Sequence, residues 1–323
     1  ELNGTNAGVG AAGLRLKAGA SGSTVNGLVI NRFERQGIWL DGSNGNTIQG
    51  NFIGINLTGA AAAPNNDGGI FVDRSNNNLI GGGTAAARNV ISGNKGDGIR
   101  FFFNGAATNN IVEGNYIGTD STGTLDVGNT QNGVYFFGPA TNNRIGGSSG
   151  GAGNVISGND GNGIAFLGEA ASDNVIQGNL IGVNATSTAA LPNNGHGIDV
   201  FGPARITIGG TAAGAGNVIG GNKGKGIALN GNQAVVQGNF IGVAKDGATA
   251  LGNLGEGIEV GSLSSLRDVT IGGLAEGAGN VIAFNGSTFN RPGLSVSNDD
   301  TGIAILSNSI FSNAGLGIDL AGN

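Results

Sequence analysis

The sequence predicts an all-β solenoid: a single-stranded parallel β-helix of about ten coils, each with three short strands. Three observations carry that expectation. A five-residue phrase, Gly50-Asn51-Phe52-Ile53-Gly54, is rewritten at 114–118, 178–182 and 238–242, in steps of 64, 64 and 60 residues. A second phrase, Asn89-Val90-Ile91-Ser92-Gly93-Asn94, returns out of phase with the first at 154–159, 217–222 and 280–285. Self-similarity at a fixed period denotes stacked supersecondary units. A finer mark, glycine followed by a branched apolar residue, falls at Gly13, Gly37, Gly69, Gly98, Gly133, Gly163, Gly197, Gly226, Gly257, Gly293 and Gly317. Its intervals of 24 to 36 residues delimit ten complete coils and the opening of an eleventh.

Within a coil the pattern has period two. In the coil opened by Gly163 the apolar segments are 164–167, 174–176 and 179–181, each too short for a helix. Ile164 and Phe166 share one face by alternation, as do Val134 with Phe136, Ile198 with Val200 and Ile258 with Val260. Gly, Asn, Val and Ile are poor helix formers, which disfavours helical solenoids. Coil length alternates. One type carries an insertion after its third strand, as at 121–132 and 185–194. The other carries a short insertion before it, at 82–88, 148–153, 210–216 and 273–279. Insertions in a solenoid become loops along one flank.

The third strand opens with asparagine in nine successive coils: Asn51, Asn89, Asn115, Asn154, Asn179, Asn217, Asn239, Asn280 and Asn308. Stacked at about 4.8 Å per coil, these amides can bond to their counterparts above and below, since each offers two donors and a double acceptor. Such a ladder satisfies polar groups at a buried bend. Only the first coil departs, with Leu28 in that place.

Composition sets further bounds. Glycine, at 68 of 323 residues, is about three times its usual share. It lacks a three-residue period and proline numbers only 5, so collagen is excluded. Net charge is −6, and the 15 basic residues are thinly spread, which disfavours a nucleic-acid partner. No apolar run approaches the ~20 residues of a membrane span, so no membrane insertion is expected. With no cysteine, disulfides, Cys-ligated zinc and thiol chemistry are excluded. Glu1 opens in repeat-like sequence and Asn323 follows closely on a strand, which reads as one β-helix domain, 1–323, cut from a longer chain or assembly.

The stacked coils, the bend asparagines and phrases such as 154–159 resemble the right-handed parallel β-helix repeats of the pectate-lyase-like superfamily. The closest likeness is to Gly- and Asn-rich repeat segments of large secreted or surface-attached bacterial proteins. It runs from Gly13 to the C-terminus and is specific for fold; lyases, hydrolases, epimerases, tailspikes and non-catalytic adhesins all use this scaffold.

Candidate chemistry lies on the outward side of the first strand. Arg15, Trp39, Phe71, Arg100 and Tyr135 form an aromatic and basic column, a platform for sugar rings. The same pattern also arises from ordinary cross-strand pairing. Asp199 and Glu259 continue the column two coils apart, about 9.6 Å from twice the strand spacing. That is near the carboxylate separation of inverting glycoside hydrolases. His196, the only histidine, occupies a position filled elsewhere by Gln36, Gly68, Asp97, Asn132, Asn162, Lys225 and Glu256, which reads as a solvated turn. The resemblance implies two mechanisms to look for. The polygalacturonase-like hydrolases pair clustered Asp residues with a His and a downstream Arg-x-Lys, and no Arg-x-Lys follows His196. The pectate-lyase pattern of Ca²⁺-holding acids on adjacent coils finds only Asp41 and Asp73, with Lys17 and Arg74 nearby, thin for an ion that wants six to eight oxygens. Phe102, Phe137, Leu167 and Phe201 form an apolar column beside Gly138-Pro139 and Gly202-Pro203, expected to be covered by loops or the bend.

The uniform repeat and absence of a catalytic cluster make the first expectation a non-catalytic, extracellular or cell-surface bacterial scaffold: a stalk, adhesin segment or filament subunit, free of cofactor apart from a possible Ca²⁺. Its expected partners are neighbouring β-helix segments or identical subunits, stacked end to end on unpaired strand edges, together with polysaccharide. The alternatives are a polysaccharide-active lyase, epimerase or hydrolase working on the first-strand face, and a carbohydrate-binding module without turnover.

Overall fold

The computed structural model describes residues 1–102, 105–168, 171–202, 205–261 and 265–320. Among them, three parallel sheets of 11, 11 and 10 strands run the length of the chain. Successive coils each give one strand to each sheet, so the chain is a single-stranded parallel β-helix, and its coils wind right-handedly. The first-strand sheet runs from Leu14–Lys17 to Ile318–Leu320, the second from Thr24–Asn26 to Ala304–Leu306, and the third from Leu2–Asn3 to Ser309–Phe311. Strands begin within two residues of the glycine marks. No helix among the described residues is long and apolar enough to cross a membrane.

Register follows from alternation. On the first strand Ile70, Ile99, Val134, Ile164, Ile198, Ile227 and Ile258 pair in line and are fully buried. The other inward position of that strand carries Phe101, Phe136 and Phe166 in successive coils. Their rings stack at centroid distances of 4.3 Å, within 7° of parallel. A slip of one residue would turn these columns to solvent, so burial fixes the register. The second and third strands supply further columns, such as Ile145-Ile176-Ile208 and Ile117-Ile156-Ile181-Ile219.

The bends are polar and buried, and asparagine resolves the conflict. The nine expected amides form one continuous ladder, each Nδ2 donating to the next Oδ1 at 2.8–3.0 Å. Each Oδ1 also accepts the backbone N–H of the residue at that place one coil before, Leu28 for Asn51 and asparagine thereafter, as Asn154 does from Asn115 at 3.0 Å. A second nine-rung ladder lines the bend from third to first strand: Asn65, Asn94, Asn129, Asn159, Asn193, Asn222, Asn253, Asn285 and Asn313. A third joins Asn46, Asn78, Asn110, Asn143 and Asn174 between first and second strands. It ends there, and Ile206, Ala234 and Val269 take the next places, all fully buried. Glycine permits the tight corners. Gly114 precedes a ladder residue at φ 67, and a Cβ there would lie 2.1 Å from the Gly82 carbonyl oxygen.

The insertions stack on alternate coils. The long loops after the third strand turn at Gly59, Gly123 and Gly247, with φ of 69°, 72° and 72°; the fourth uses Ser187 at φ 56°. The Ser187 hydroxyl is buried without a hydrogen-bond partner.

Two outcomes follow. Asn154→Ala removes an amide whose Nδ2 serves Asn179 and Val112 and whose Oδ1 serves Asn115. Stranding those buried groups should cost about 3 kcal/mol in equilibrium denaturation, whereas Asn184→Ala in an exposed loop should cost under about 1 kcal/mol. Ser187→Gly should stabilise by about 0.5–1 kcal/mol, since the left-handed conformation costs an L-residue more than glycine loses in entropy.

Candidate functional site

The outward column of the first strand is in register as expected. Arg15 pairs Trp39, Trp39 pairs Phe71, Phe71 pairs Arg100, and Arg100 pairs Tyr135. Ala165, Asp199, Ala228 and Glu259 continue it. Its N-terminal part is closed by its own charges. The Arg15 guanidinium lies 3.9 Å from the centre of the Trp39 ring, and Arg100 lies 5.1 Å from that of Phe71, itself buried. Neither ring is left as an open platform there.

Asp41 and Asp73 stand on adjacent coils, and arginine engages them. Arg15 donates to Asp41 through Nε at 2.9 Å and Nη2 at 2.6 Å, and Arg74 contacts its other oxygen. Arg74 also lies 3.5 Å from an Asp73 oxygen. Burial pushes the Asp41 carboxyl up, but hydrogen bonds and charge from Arg15 and then Arg74 hold it below the usual range. Among the described residues no group of three or more His, Asp or Glu side chains could hold a metal ion.

The column opens at its middle. Tyr135, Ala165 and Asp199 form the floor of a cleft of about 470 Å³, rimmed by Gln131, Asn132 and Asn162 on one side and Leu167 and Phe201 on the other. Leu167 and Phe201, expected under cover, are 39% and 40% exposed, while Phe102 and Phe137 are half-buried. Tyr135 and Phe137 stack at 5.9 Å and Phe71 and Phe102 at 6.0 Å, and this stacking helps to shelter Phe102 and Phe137. Gly138 and Pro139 lie in the turn beyond Phe137; Pro203 lies outside the described residues.

One wall of the cleft is a relay of side chains that the sequence did not reveal. In four successive coils the side chain ahead of the first-strand glycine accepts a backbone N–H from the coil above. Asp97 Oδ1 takes that of Asn132 at 3.0 Å, Asn132 Oδ1 that of Asn162 at 3.0 Å, and Asn162 Oδ1 that of His196 at 2.7 Å. His196 Nδ1 then takes that of Lys225 at 2.9 Å. His196 is therefore no solvated turn residue but a partly buried acceptor, and this bond fixes the neutral imidazole with its proton on Nε2. The alternation of Asp, Asn, Asn and His at one position was the available signal: all are short side chains with an acceptor.

Asp199 and Glu259 do lie two coils apart, but not in one cleft. Glu259 is ion-paired with Lys225, whereas Asp199 faces the cleft and accepts from Asn162 Nδ2 at 3.3 Å. Burial raises the Asp199 carboxyl above its usual range, against the nearby His196 and Lys225. Burial holds the His196 imidazole below its ordinary value, opposed by Asp199, reinforced by Lys225, and opposed again by Glu259 and Glu256. Burial also raises the Tyr135 phenol, with Asp97 adding and Arg100 opposing. The cleft thus gathers an aromatic face, two apolar edges, three amides and a carboxyl that binds protons readily.

These features define a parallel β-helix protein with an open cleft on its first-strand face. Solved structures share that fold. The A-module of the Azotobacter vinelandii mannuronan C-5 epimerase AlgE4 superposes with a TM-score of 0.55 at 13% identity, over 93% of this chain and 78% of that one. The Dettilon tailspike protein gives 0.50 at 17% identity, over 96% of this chain and 61% of its own. The chain spans 47% of the periplasmic alginate epimerase AlgG, with a TM-score of 0.44 and 14% identity. No protein-family model and no curated protein matches the sequence.

His196 sets a pH dependence with a definite sign. Its folded-state value lies below the ordinary 6.5, so the unfolded chain binds the proton more tightly. The contribution to stability is intact above about pH 6.5 and is lost as pH falls through the folded value. As the only histidine, it gives a single imidazole NMR titration, which should midpoint below 6.5. His196→Asn, which restores the residue type of the two preceding coils, should keep the relay and flatten denaturation stability over that interval.

Proposed function

We propose that this chain is an extracellular bacterial β-helix scaffold that holds polysaccharide along the cleft of its first-strand face without turning it over. The observation that carries the reading is the composition of the cleft: the Tyr135 ring, the exposed edges of Leu167 and Phe201, and the amides of Gln131, Asn132 and Asn162 beside Asp199. Sugar rings present apolar faces and hydroxyl edges, and this pairing of aromatic surface with amides answers both. That β-helix neighbours include a mannuronan epimerase and a tailspike agrees with a saccharide ligand.

A second reading has its own observation. Asp199 is raised and His196 lowered within one neighbourhood, and such divergence accompanies acid–base roles. The corresponding activity is proton abstraction from a uronate, by elimination or epimerisation, with Asp199 and Tyr135 in contact with the sugar.

Affinity electrophoresis against a panel of neutral and acidic polysaccharides tests the first reading. Tyr135→Ala should weaken retention about tenfold, the worth of an aromatic contact of ~1.5 kcal/mol, and Asp199→Asn should alter it. Ser295→Ala, in the same column but outside the cleft, should leave it unchanged. Retention unaffected by Tyr135→Ala would remove the cleft from consideration. Unsaturated product, or solvent tritium entering the polymer, would replace the first reading with the second.

A further inference from the structure

The third-strand face carries a separate structure. Its outward residues alternate between half-buried Phe52, Tyr116, Leu180 and Phe240 and buried Val90, Val155 and Val218, all in register. Two rows of stacked insertions stand on either side of this floor. On one side the short insertions bear on each other every second coil. A Cβ at Gly151 would lie 2.2 Å from the Gly83 carbonyl oxygen, and one at Gly214 would lie 2.4 Å from that of Ser148. On the other side the long loops are bonded in series, Ser121 N–H to the Gly59 carbonyl at 2.8 Å and Ala185 N–H to that of Gly123 at 2.9 Å. Floor and walls make a trough parallel to the solenoid axis. It holds two contiguous hollows of about 440 and 260 Å³ that share Gly214 and Lys245.

The charge of this trough is opposite to that of the whole chain. No carboxylate lines either hollow, although acids outnumber bases by 21 to 15. Its charged lining residues are Arg88 and Lys245. The Arg88 guanidinium lies 4.1 Å from the centre of the Tyr116 ring and donates to the Gly114 carbonyl at 3.2 Å, and among the described residues neither cation has an ion-pair partner. That contrasts with Arg15, Arg35, Arg100, Arg144 and Arg205, each paired with an acid. Five strand steps separate the coils of Arg88 and Lys245, about 24 Å along the axis.

We infer that this trough is a second binding site, independent of the first-strand cleft, and that its ligand is an extended anionic polysaccharide bearing carboxylates or sulfates. A trough open along the axis admits a chain rather than a compact molecule. Ser148 and Ser149, with the backbone of the glycine-rich short insertions, supply hydroxyl and amide groups, while Arg88 and Lys245 supply the charge. Nucleic acid fits less well, because the Tyr116 face on which a base would stack is already capped by Arg88. A peptide adding as a strand is excluded on the floor, where every third strand is paired on both sides.

Calorimetry with oligouronates, neutral dextran and a single-stranded oligonucleotide, at low and high salt, tests the site. The wild type should bind the oligouronate, more weakly as salt rises, and bind dextran not at all in the trough. Arg88→Gln with Lys245→Gln should weaken that binding about tenfold, the worth of one charge-assisted hydrogen bond. Gly150→Trp blocks the trough without touching the charges; a Cβ at Gly150 meets no atom within 4 Å, so the fold accepts it. It should abolish the interaction with no change in melting temperature. Tyr135→Ala, on the other face, should leave it intact. Binding that persists in both trough variants, or that Tyr135→Ala alone removes, overturns the inference; so does an oligonucleotide that binds as tightly as the oligouronate.

Discussion

Everything in this molecule depends on how buried backbone is satisfied at the corners of the coil. Strands pair along their length, but each corner leaves N–H and C=O groups facing a water-free interior, where an unpaired group costs about 1–3 kcal/mol. Asparagine answers this in a stack because its amide is a donor and acceptor in one short plane. Nδ2 of Asn179 serves Oδ1 of Asn217 and the carbonyl of Ile145 together, while its Oδ1 takes the N–H and Nδ2 of Asn154. Aspartate would stack like charges at about 4.8 Å, and serine would be too short to reach both the coil above and the strand before. The ladder therefore fixes coil height and register at once.

A spine of that kind frees the outside. Once register is set from within, outward positions carry no burden of specificity beyond pairing with their neighbours. Several outward charges form bridges between adjacent coils, such as Arg205 to Asp173 at 2.6 Å and Arg144 to Glu113 at 2.8 Å. At the surface these contribute little, about 0–1 kcal/mol each. Their effect is to keep the two faces electrostatically quiet except where pairing fails. That contrast makes the cleft around Tyr135 and the cationic trough around Lys245 distinct against the rest of the wall.

The fold was legible because its determinants are periodic. Asn51 through Asn308 recur at one place in the coil, and Ile164 with Phe166 alternates as a pleat demands. The second ladder was written as plainly, in Asn94, Asn159 and Asn222, yet it hid behind the longer loops that separate Asn129, Asn193 and Asn253 from their strands. The site was harder for a physical reason. A column of aromatics shows which residues stack, not which are capped, and the arginine over Trp39 is itself a column member. His196 was misread because variation at its position suggested solvent, whereas in four successive coils, from Asp97 to His196, the position carries a side-chain acceptor and accepts three residue types. Gln131 carried no mark, since its position follows no column of the repeat.

The departures from the repeat are not scattered once they are placed on the coils. The third ladder stops at Asn174, and its place passes to Ile206, Ala234 and Val269. In the same coils the relay ahead of the first strand changes from Asp97, Asn132 and Asn162 to His196, Lys225 and Glu256. An amide ladder is self-complementary: each rung asks for the same residue on the next. Replacing it with packed aliphatics on one side of the first strand removes that demand from the adjoining positions. In these coils the titratable side chains His196, Asp199, Lys225 and Glu259 meet. The interruption of the third ladder and the meeting of these four groups thus fall in the same coils, those opened by Gly197, Gly226 and Gly257, which begin where the floor of the cleft ends at Asp199.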